Sequence, residues 1–338
     1  MSKESIRLVQ LTHPQIGRSV AMVREPSLAL LKDTGSIYEL AFDSLEKQEK
    51  IESLILSRLS GELLDYNSVY EGKSEWKLLP SFDYPQNPAA CIVSGTGLTH
   101  KNSALNRQMM HQAQEAKLTD SMQMYQWGLD GGHPESGTVG VQPEWFYKGT
   151  GDILRGHGES LEIPCFGNDG GEEPEVAGIY IVDPNGKPWR IGLTTGNEFS
   201  DHVMEKENYL YLAPSKLRNC AIGPELVLTS DFEEIYGTVS ISRDGSIIWT
   251  KDIQSGEKNM AHSLSNLEHH HFKYPGHRIP FQAHIHFFGA DAFSFGDQVQ
   301  LQEGDVMNVE WRGLGRTLKN PLKFSEAKER LISVQSIL

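Results

Sequence analysis

The sequence has few cysteines and no long apolar run, and both shortages narrow the class of protein. Of its 338 residues only Cys91, Cys165 and Cys220 are cysteine, and they form no CxxC pair. That spacing argues against a disulfide framework and against a cysteine zinc site. No apolar run approaches the roughly 18 residues that a membrane span needs. The first residues, MSKESIRLVQLTHPQ, also lack the apolar core of a secretory signal. We therefore expect a cytoplasmic protein without a membrane partner.

Positive charge is also scarce, which bears on the partner. The formal net charge is −14, and no basic stripe with interleaved aromatic residues is present, so we expect no nucleic-acid partner. The chain has no G-x-S-x-G motif, and its two short GTG segments do not make a phosphate or dinucleotide fingerprint. A small-molecule partner is the better expectation. An anionic one would need local positive charge, from a metal ion or from lysines.

The pattern of elements predicts an α+β chain that is mainly β. Residues 1–88 combine short strands with a helical segment, FDSLEKQEKIESLILSRLS, and predict a small N-terminal α/β domain. The proline-rich stretch LLPSFDYPQNPAA then predicts a connector. Residues 89–338 contain apolar strands and glycine turns and predict a second, larger domain. Within it we expect a helix in the segment 102–129 and an amphipathic helix in the tail SEAKERLISVQSIL.

The segment GGEEPEVAGIYIV, residues 170–182, places an acidic pair where an apolar strand begins. Glu173 and Glu175 are two residues apart and share one face of a strand. A turn containing Asn185-Gly186 predicts a hairpin, whose second strand would return Glu198 towards this pair. Three carboxylates around one point suit Mg²⁺, with Mn²⁺ or Ca²⁺ as alternatives, better than Zn²⁺. The alternative is a solvated acidic loop, since acid is abundant in this segment.

Several motifs follow one another in order over residues 90–325: GTGLTH, QPEWFYKG, EEPEVAGIYIV, GNEFSDH, SKLRNCAIGPE and LQEGDVMNVEWRGLGRTLKNPL. Together they resemble the fumarylacetoacetate hydrolase family, and more narrowly its branch of sugar-acid dehydratases. The resemblance implies that residues 89–338 form a catalytic domain with a mixed β-sandwich roll, and that the protein is a homodimer.

The resemblance also implies roles for residues around the acidic pair. The family's metal motif, Glu-x-Glu followed by Asn-Asp, is matched by Glu173 and Glu175 and then by Asn197-Glu198, with glutamate in place of aspartate. Ser200 matches the family serine, and His202 stands where the family has a substrate-binding arginine. We expect both to contact the substrate.

Two lysines match family lysines, and they follow different motifs. Lys216, in SKLRNCAIGP, is expected to carry a proton, with a pKa lowered by the metal and by burial, or to contact an anion. Lys148, in FYKG, is a second candidate catalytic residue, and the neighbouring Tyr147 is expected to bind substrate.

One departure from the family decides the expected chemistry. Hydrolytic and decarboxylating members activate water with a His-x-x-Glu pair, whereas here His100 is followed three residues later by Ser103. A metal, lysines and a histidine remain. They suit binding of a 2-oxo acid, loss of its C3 proton to a metal-stabilised enolate, and expulsion of the C4 hydroxyl.

We therefore expect a lyase that dehydrates a 2-keto-3-deoxy sugar acid, for example 2-keto-3-deoxyarabinonate, in sugar catabolism. Two alternatives stay open. One is a carbon–carbon hydrolase or decarboxylase of a small diketo acid, and the other is a non-catalytic protein that binds a sugar acid.

The remaining histidines cluster late in the chain. His284 and His286 share a strand face, and His269, His270 and His271 are consecutive. A histidine metal site is one interpretation. We favour His286 as a pocket residue, because HFFGADAF stands where the family has a Thr-Gly-Thr loop that contacts the substrate carboxylate.

Overall fold

The computed structural model describes residues 5–105 and 119–338, and within them the strands form two sheets. The expectation of an α+β chain that is mainly β is confirmed. No helix in these two ranges is both long and apolar enough to cross a bilayer.

The larger sheet holds twelve strands and carries the acidic hairpin. Its order is β4-β3-β2-β1-β12-β11-β10-β15-β6-β7, with β5 paired to β1 and β8 to β12. Strands are numbered β1 to β17 along the chain. The large sheet contains β1 (Arg7–His13), β2 (Gly17–Arg24), β3 (Ser27–Leu31), β4 (Leu59–Asp65), β5 (Lys77–Leu78), β6 (Cys91–Gly95), β7 (Phe146–Thr150), β8 (Leu154–Arg155), β10 (Pro174–Val182), β11 (Pro188–Asn197), β12 (Cys220–Val227) and β15 (Ala283–Phe287).

The smaller sheet has the order β14-β13-β16-β17-β9. Its strands β13 and β14 form an antiparallel hairpin, with Val239 opposite Lys251. It contains β9 (Leu161–Ile163), β13 (Ile235–Arg243), β14 (Ser246–Ser255), β16 (Val306–Trp311) and β17 (Leu318–Phe324).

Seven α-helices lie wholly within the described residues. They are α1 (Ile37–Lys47), α2 (Ile51–Ser57), α3 (Tyr66–Tyr70), α4 (Asp120–Gly131), α5 (His202–Glu207), α6 (Leu212–Ser215) and α7 (Leu264–Phe272). Helices α1, α2 and α7 pack into the cores of the sheets. The helical segment expected over residues 42–60 is divided between α1, which begins earlier at Ile37, and α2, because Gln48 takes a left-handed conformation, φ 51°, and ends α1.

Two other helix predictions have different outcomes. Of the segment 102–129, residues 102–105 and α4 are helical, and residues 106–118 lie outside the described residues. The tail helix is wrong, because residues 325–338 contain no helix. Leu331 and Val334 on its apolar side are 95% and 93% exposed. A lone helix of this length without a surface to pack on is marginal in water.

The N-terminal segment extends the large sheet. Strand β1 pairs antiparallel with β12, with Leu8 opposite Leu226. The segment also has a core of its own, which includes Val9, Leu28 and Tyr66. The separate core favours a domain of its own, whereas the shared sheet joins it to the rest of the chain. The domain boundary at residue 88 therefore stays a prediction.

Strand β10 is buried on both faces, which fixes the hairpin rigidly. Ala177 and Ile179 pack into one core with β6, β12 and β15, whereas Val176 and Tyr180 pack into a second core beneath the smaller sheet. A strand between two cores reads as a continuous apolar run, and VAGIYIV is such a run. The open end of the hairpin is thereby held at the point where the acidic residues lie.

Candidate active site

Three buried carboxylates meet at the open end of the β10–β11 hairpin. Glu175 lies in β10 opposite Gly196, and the backbone N–H of Glu198 donates to the carbonyl of Glu173 at 2.9 Å. One carboxylate oxygen from each of Glu173, Glu175 and Glu198 lies within 4.8 Å of the others. Antiparallel pairing thus brings together the three side chains that the sequence singles out, and we call them the acidic trio.

Lys216 points its ammonium group into the acidic trio. Its Nζ lies 2.6 Å from Oε1 of Glu173, 3.5 Å from Oε2 of Glu198 and 3.2 Å from Oε1 of Glu205. Burial alone would lower the pKa of Lys216, but the three carboxylates outweigh it and the pKa is raised. Lys216 is thus the counter-ion of the metal-free cluster, and the expected lowering of its pKa in the presence of a metal stays a prediction.

One lysine does not neutralise the whole trio. Burial would raise the pKa of Glu173, but Lys216 and His202 hold it well below its usual range. Burial raises the pKa of Glu198 to about 7, and burial together with the other two carboxylates raises the pKa of Glu175 well above its usual range. Both carboxylate oxygens of Glu198 are buried without a hydrogen-bond partner among the described residues.

These features fit a divalent cation bound by oxygen ligands. A buried carboxylate without donors, as in Glu198, is costly unless a charge compensates it. Three carboxylates within one ligand distance suit a hard cation. The backbone leaves room for Glu198, because a Cβ on Gly95 would lie 2.3 Å from Oε1 of Glu198 and 2.6 Å from the Phe146 ring. The end of β6 therefore requires glycine at residue 95.

His202 and Ser200 both lie against the acidic trio. His202 is the first residue of α5, whose N-cap is Asp201, and its Nε2 lies 3.1 Å from Oε1 of Glu173. Ser200 donates from Oγ to the carbonyl of Glu198 at 2.7 Å and accepts from Lys216 Nζ at 3.1 Å. Both residues thus orient trio members, and their predicted contact with substrate remains a prediction.

Tyr147 and Lys148, in the FYK segment, lie on opposite faces of β7. The ammonium of Lys148 is buried and donates to the carbonyls of Phe199 at 2.7 Å and Lys216 at 3.1 Å, and burial lowers its pKa. Lys148 thus holds the backbone just after Glu198 and the backbone at Lys216. Tyr147 is 43% exposed on the other face, because successive residues of a strand alternate. The structure does not bring Tyr147 to the trio.

His100 is buried and electrically neutral. Burial lowers its pKa to about 3, its Nδ1 lies 2.9 Å from Oγ1 of Thr99, and its Nε2 has no partner among the described residues. Ser103 lines a small cavity beside the acidic trio. A serine thus stands at the cavity wall at the position of the family's water-orienting carboxylate.

His286 lies in a group of neighbouring histidine rings and is not among the described residues that line the cavity. Its Nε2 lies 2.8 Å from Oγ1 of Thr96 and its Nδ1 2.8 Å from Oγ of Ser94, and burial lowers its pKa to about 3. His271 and His284 continue the group through a 3.0 Å contact. Within the described ranges the acidic trio is the one cluster with metal-ligand geometry, so the interpretation as a histidine metal site finds no support there.

The cavity has further acidic residues that sequence reasoning missed. It is lined by Gly97, Ser103, Glu173, Glu175, Glu205 and Lys216, and by two residues from the segment after β15. Glu205, in α5, contacts Lys216 and also accepts from Oγ of Ser215 at 3.1 Å. Glu144 lies behind Gly97, where a Cβ would come within 1.8 Å of its Oε2. The sequence offered no signal for Glu205 beyond its place one helical turn after His202.

Sequence relatives give a first comparison. No protein-family model matches the chain. It is 32% identical over 122 residues to a 2-dehydro-3-deoxy-D-arabinonate dehydratase of Saccharolobus solfataricus, a match that covers 35% of this chain and 40% of that protein. It is 31% identical over 192 residues to a probable 2-keto-3-deoxyxylonate dehydratase of Haloferax volcanii, covering 53% and 60%. The chain thus spans about half the length of the curated relatives it matches.

Solved structures give a second comparison, over nearly the whole chain. A 2-keto-3-deoxy-D-arabinonate dehydratase complexed with magnesium and 2,5-dioxopentanoate superposes with a TM-score of 0.69 at 20% identity, covering 95% of this chain and all of the other. A 2-hydroxyhepta-2,4-diene-1,7-dioate isomerase from Mycobacterium marinum gives 0.58 at 13% identity, covering 96% and 100%. These solved structures show the fold of the chain, and the two sequence relatives, both named as dehydratases of 2-keto-3-deoxy sugar acids, agree with it.

Proposed function

We propose that the protein is a divalent-metal-dependent hydro-lyase that removes water from a 2-keto-3-deoxy sugar acid, such as 2-keto-3-deoxyarabinonate. The observation that carries the proposal is the acidic trio, three buried carboxylates of which one, Glu198, has no hydrogen-bond donor for either oxygen within residues 5–105 and 119–338. The names of the two sequence relatives support the substrate class.

Glu173, Glu175 and Glu198 would hold the cation, and Mg²⁺ is our first choice because all three ligands are carboxylates. When bound, the cation would polarise the ketone of a 2-oxo acid and make the C3 proton more acidic. His202, Ser200 and Lys148 would keep the ligands in place through the contacts they already make.

Dehydration also needs one group to remove the C3 proton and another to protonate the leaving hydroxyl. Lys216 and Glu205 line the cavity outside the trio, and Nζ of Lys216 lies 3.2 Å from Oε1 of Glu205. We assign removal of the C3 proton to the Glu205 carboxylate and protonation of the leaving hydroxyl, which departs as water, to the ammonium of Lys216; the proton held by Glu205 then passes to Lys216 and restores both groups. The absence of a carboxylate at Ser103 favours dehydration over water-dependent cleavage of a carbon–carbon bond.

The test is to incubate the protein with Mg²⁺ and a panel of 2-keto-3-deoxy acids and to identify the products by mass spectrometry. A 2-oxo semialdehyde supports the proposal. Acid and ketone fragments would instead show a carbon–carbon hydrolase, and binding without turnover a non-catalytic protein. The variant Glu175→Gln should lose metal binding and turnover together, whereas the half-exposed Glu162→Gln should lose neither.

A cytoplasmic location and a homodimer belong to the same proposal. The homodimer follows from the family resemblance, and the exposed apolar tail around Leu331 and Val334 is compatible with a second subunit. Light scattering on the purified protein tests it, and a monomeric mass at micromolar concentration would contradict it.

A further inference from the structure

Glu172 directly precedes the acidic trio in the sequence, but its side chain binds Ser294 and no carboxylate of the trio. Glu172 is fully buried, and its Oε1 accepts from the backbone N–H of Ser294 at 2.6 Å while its Oε2 accepts from Oγ of the same serine at 2.9 Å. Consecutive residues of an extended segment point to opposite sides, and an isolated bridge between Gly171 and Ser200 shows the extended pairing here. Glu172 therefore faces away from the side on which Glu173 joins the trio.

Both carboxylate oxygens of Glu172 accept hydrogen bonds from Ser294, the last residue of one loop. Residues 288–294, which we call the cavity loop, follow β15, and Ala290 and Phe293 in it line the cavity. The Phe293 ring lies parallel to the ring of His202, with centroids 4.6 Å apart and an interplanar angle of 4°. The cavity loop thus forms part of the cavity wall.

The beginning of the cavity loop is fastened separately. The N–H of Gly289 donates to Oε2 of Glu175 at 2.6 Å, and Oγ1 of Thr99 donates to the carbonyl of Phe288 at 2.8 Å. Gly289 has φ 100°, and a Cβ there would lie 2.0 Å from Oγ1 of Thr99, so this attachment needs glycine. Ser294 and Glu172 form the attachment at the other end, directly after Phe293.

We propose that Glu172 is a positioning residue, which holds the cavity loop closed on the cavity and so sets the affinity for substrate without touching the substrate or the metal. The substrate part of this inference rests on the proposed function. A carboxylate with two donors from one residue gives a short, directed attachment. Without it the buried N–H of Ser294 loses its partner, and Phe293 is free to leave His202.

The experiment compares Glu172→Ala, Glu172→Gln and Ser294→Ala with Asp305→Ala as a stability control. A glutamine at residue 172 can accept from the Ser294 N–H and donate to its hydroxyl, so it should restore the attachment. Ser294→Ala keeps the backbone contact and should have a partial effect. Asp305 is equally buried and accepts from Arg243 at 2.8 Å, but it does not line the cavity.

Hydrogen–deuterium exchange of the peptide covering residues 288–294 is measured without metal or substrate. We expect faster exchange there in Glu172→Ala, a smaller change in Ser294→Ala, and no local change in Glu172→Gln or Asp305→Ala. Unchanged exchange in both Glu172→Ala and Ser294→Ala would overturn the inference. This readout needs no turnover, so it stands even if the proposed dehydration fails.

Steady-state kinetics at saturating Mg²⁺ give the second readout. We expect KM of Glu172→Ala to rise about tenfold, the value of roughly one hydrogen bond, with kcat little changed and Mn²⁺ affinity unchanged. Glu172→Gln should return KM towards that of the wild type. A fall in Mn²⁺ affinity with KM unchanged would show that Glu172 serves the metal ligands, and the positioning role would be wrong.

Discussion

Replacing Lys216 by methionine tests whether its ammonium is the counter-ion of the acidic trio. The Nζ atom lies between 2.6 and 3.5 Å from three buried carboxylates, Glu173, Glu205 and Glu198. Removal of one partner from a buried ion pair costs about 3–5 kcal/mol, since the remaining charges stay buried and unpaired. We expect Lys216→Met to lose this amount of unfolding free energy in EDTA. Excess Mg²⁺ supplies positive charge at the same place, so it should recover most of the loss.

Lys148→Met is the matched control, because Lys148 is an equally buried lysine whose ammonium donates to two backbone carbonyls and to no carboxylate. Urea unfolding in EDTA and in Mg²⁺ measures both variants. A cation at about 100 times its Kd stabilises by about 2.7 kcal/mol, and this gain should be larger in Lys216→Met than in wild type or Lys148→Met. Equal gains in all three proteins, or a Lys216→Met variant as stable as wild type in EDTA, would refute the counter-ion role.

Three further outcomes follow from the same geometry. Burial raises the pKa of Glu198 to about 7, so a proton competes with the cation for this carboxylate below that pH. The affinity for Mn²⁺ should fall by up to about tenfold per pH unit from pH 7 to 5 and stay constant above pH 7. Calorimetry in two buffers with different ionisation enthalpies would detect the proton released on binding. Gly95→Ala should abolish Mn²⁺ binding, since its Cβ would meet Glu198 and Phe146, whereas Gly276→Ala, with no atom within 4 Å, should bind normally. Burial lowers the pKa of His286 to about 3 from 6.5. Between these two values the unfolded chain binds more protons than the folded one, so the free energy of unfolding falls as the pH drops below 6.5. Urea unfolding should therefore show that His286→Gln loses about 2 kcal/mol less than wild type between pH 6.5 and 5. A slope unchanged by this substitution would contradict the assignment.

The acidic trio could be predicted because one hairpin makes it. A two-residue period places Glu173 and Glu175 on one side, and the turn at Gly186, which has φ 79°, fixes the register that returns Glu198 to them. All three positions depend on contacts within about two dozen residues of chain. Local patterns of this kind are legible in a sequence.

Contacts between residues far apart in the sequence could not be predicted from it. The partner of Glu172 is 122 residues away, and Glu172 looked like surplus acid because nothing nearby in the sequence marks Ser294. The same holds for Glu144, which is visible only once Gly97 is seen to leave room for it. The tail failed for a different reason: its apolar period is helical, but periodicity alone does not stabilise a helix that has no surface to pack against.

The arrangement of Lys216 suggests how a chain with four acidic residues at one cavity folds before it acquires a cation. Buried carboxylates that repel one another would destabilise a metal-free protein, yet each of Glu173, Glu198 and Glu205 lies within 3.5 Å of one ammonium. That ammonium compensates only part of the charge, because Glu198 keeps a raised pKa and both of its oxygens lack a donor among the described residues. A site neutralised completely by lysine would have little affinity left for a cation, and one without lysine would cost too much stability. Partial neutralisation satisfies both needs, and it places a proton donor beside the position where the substrate would bind.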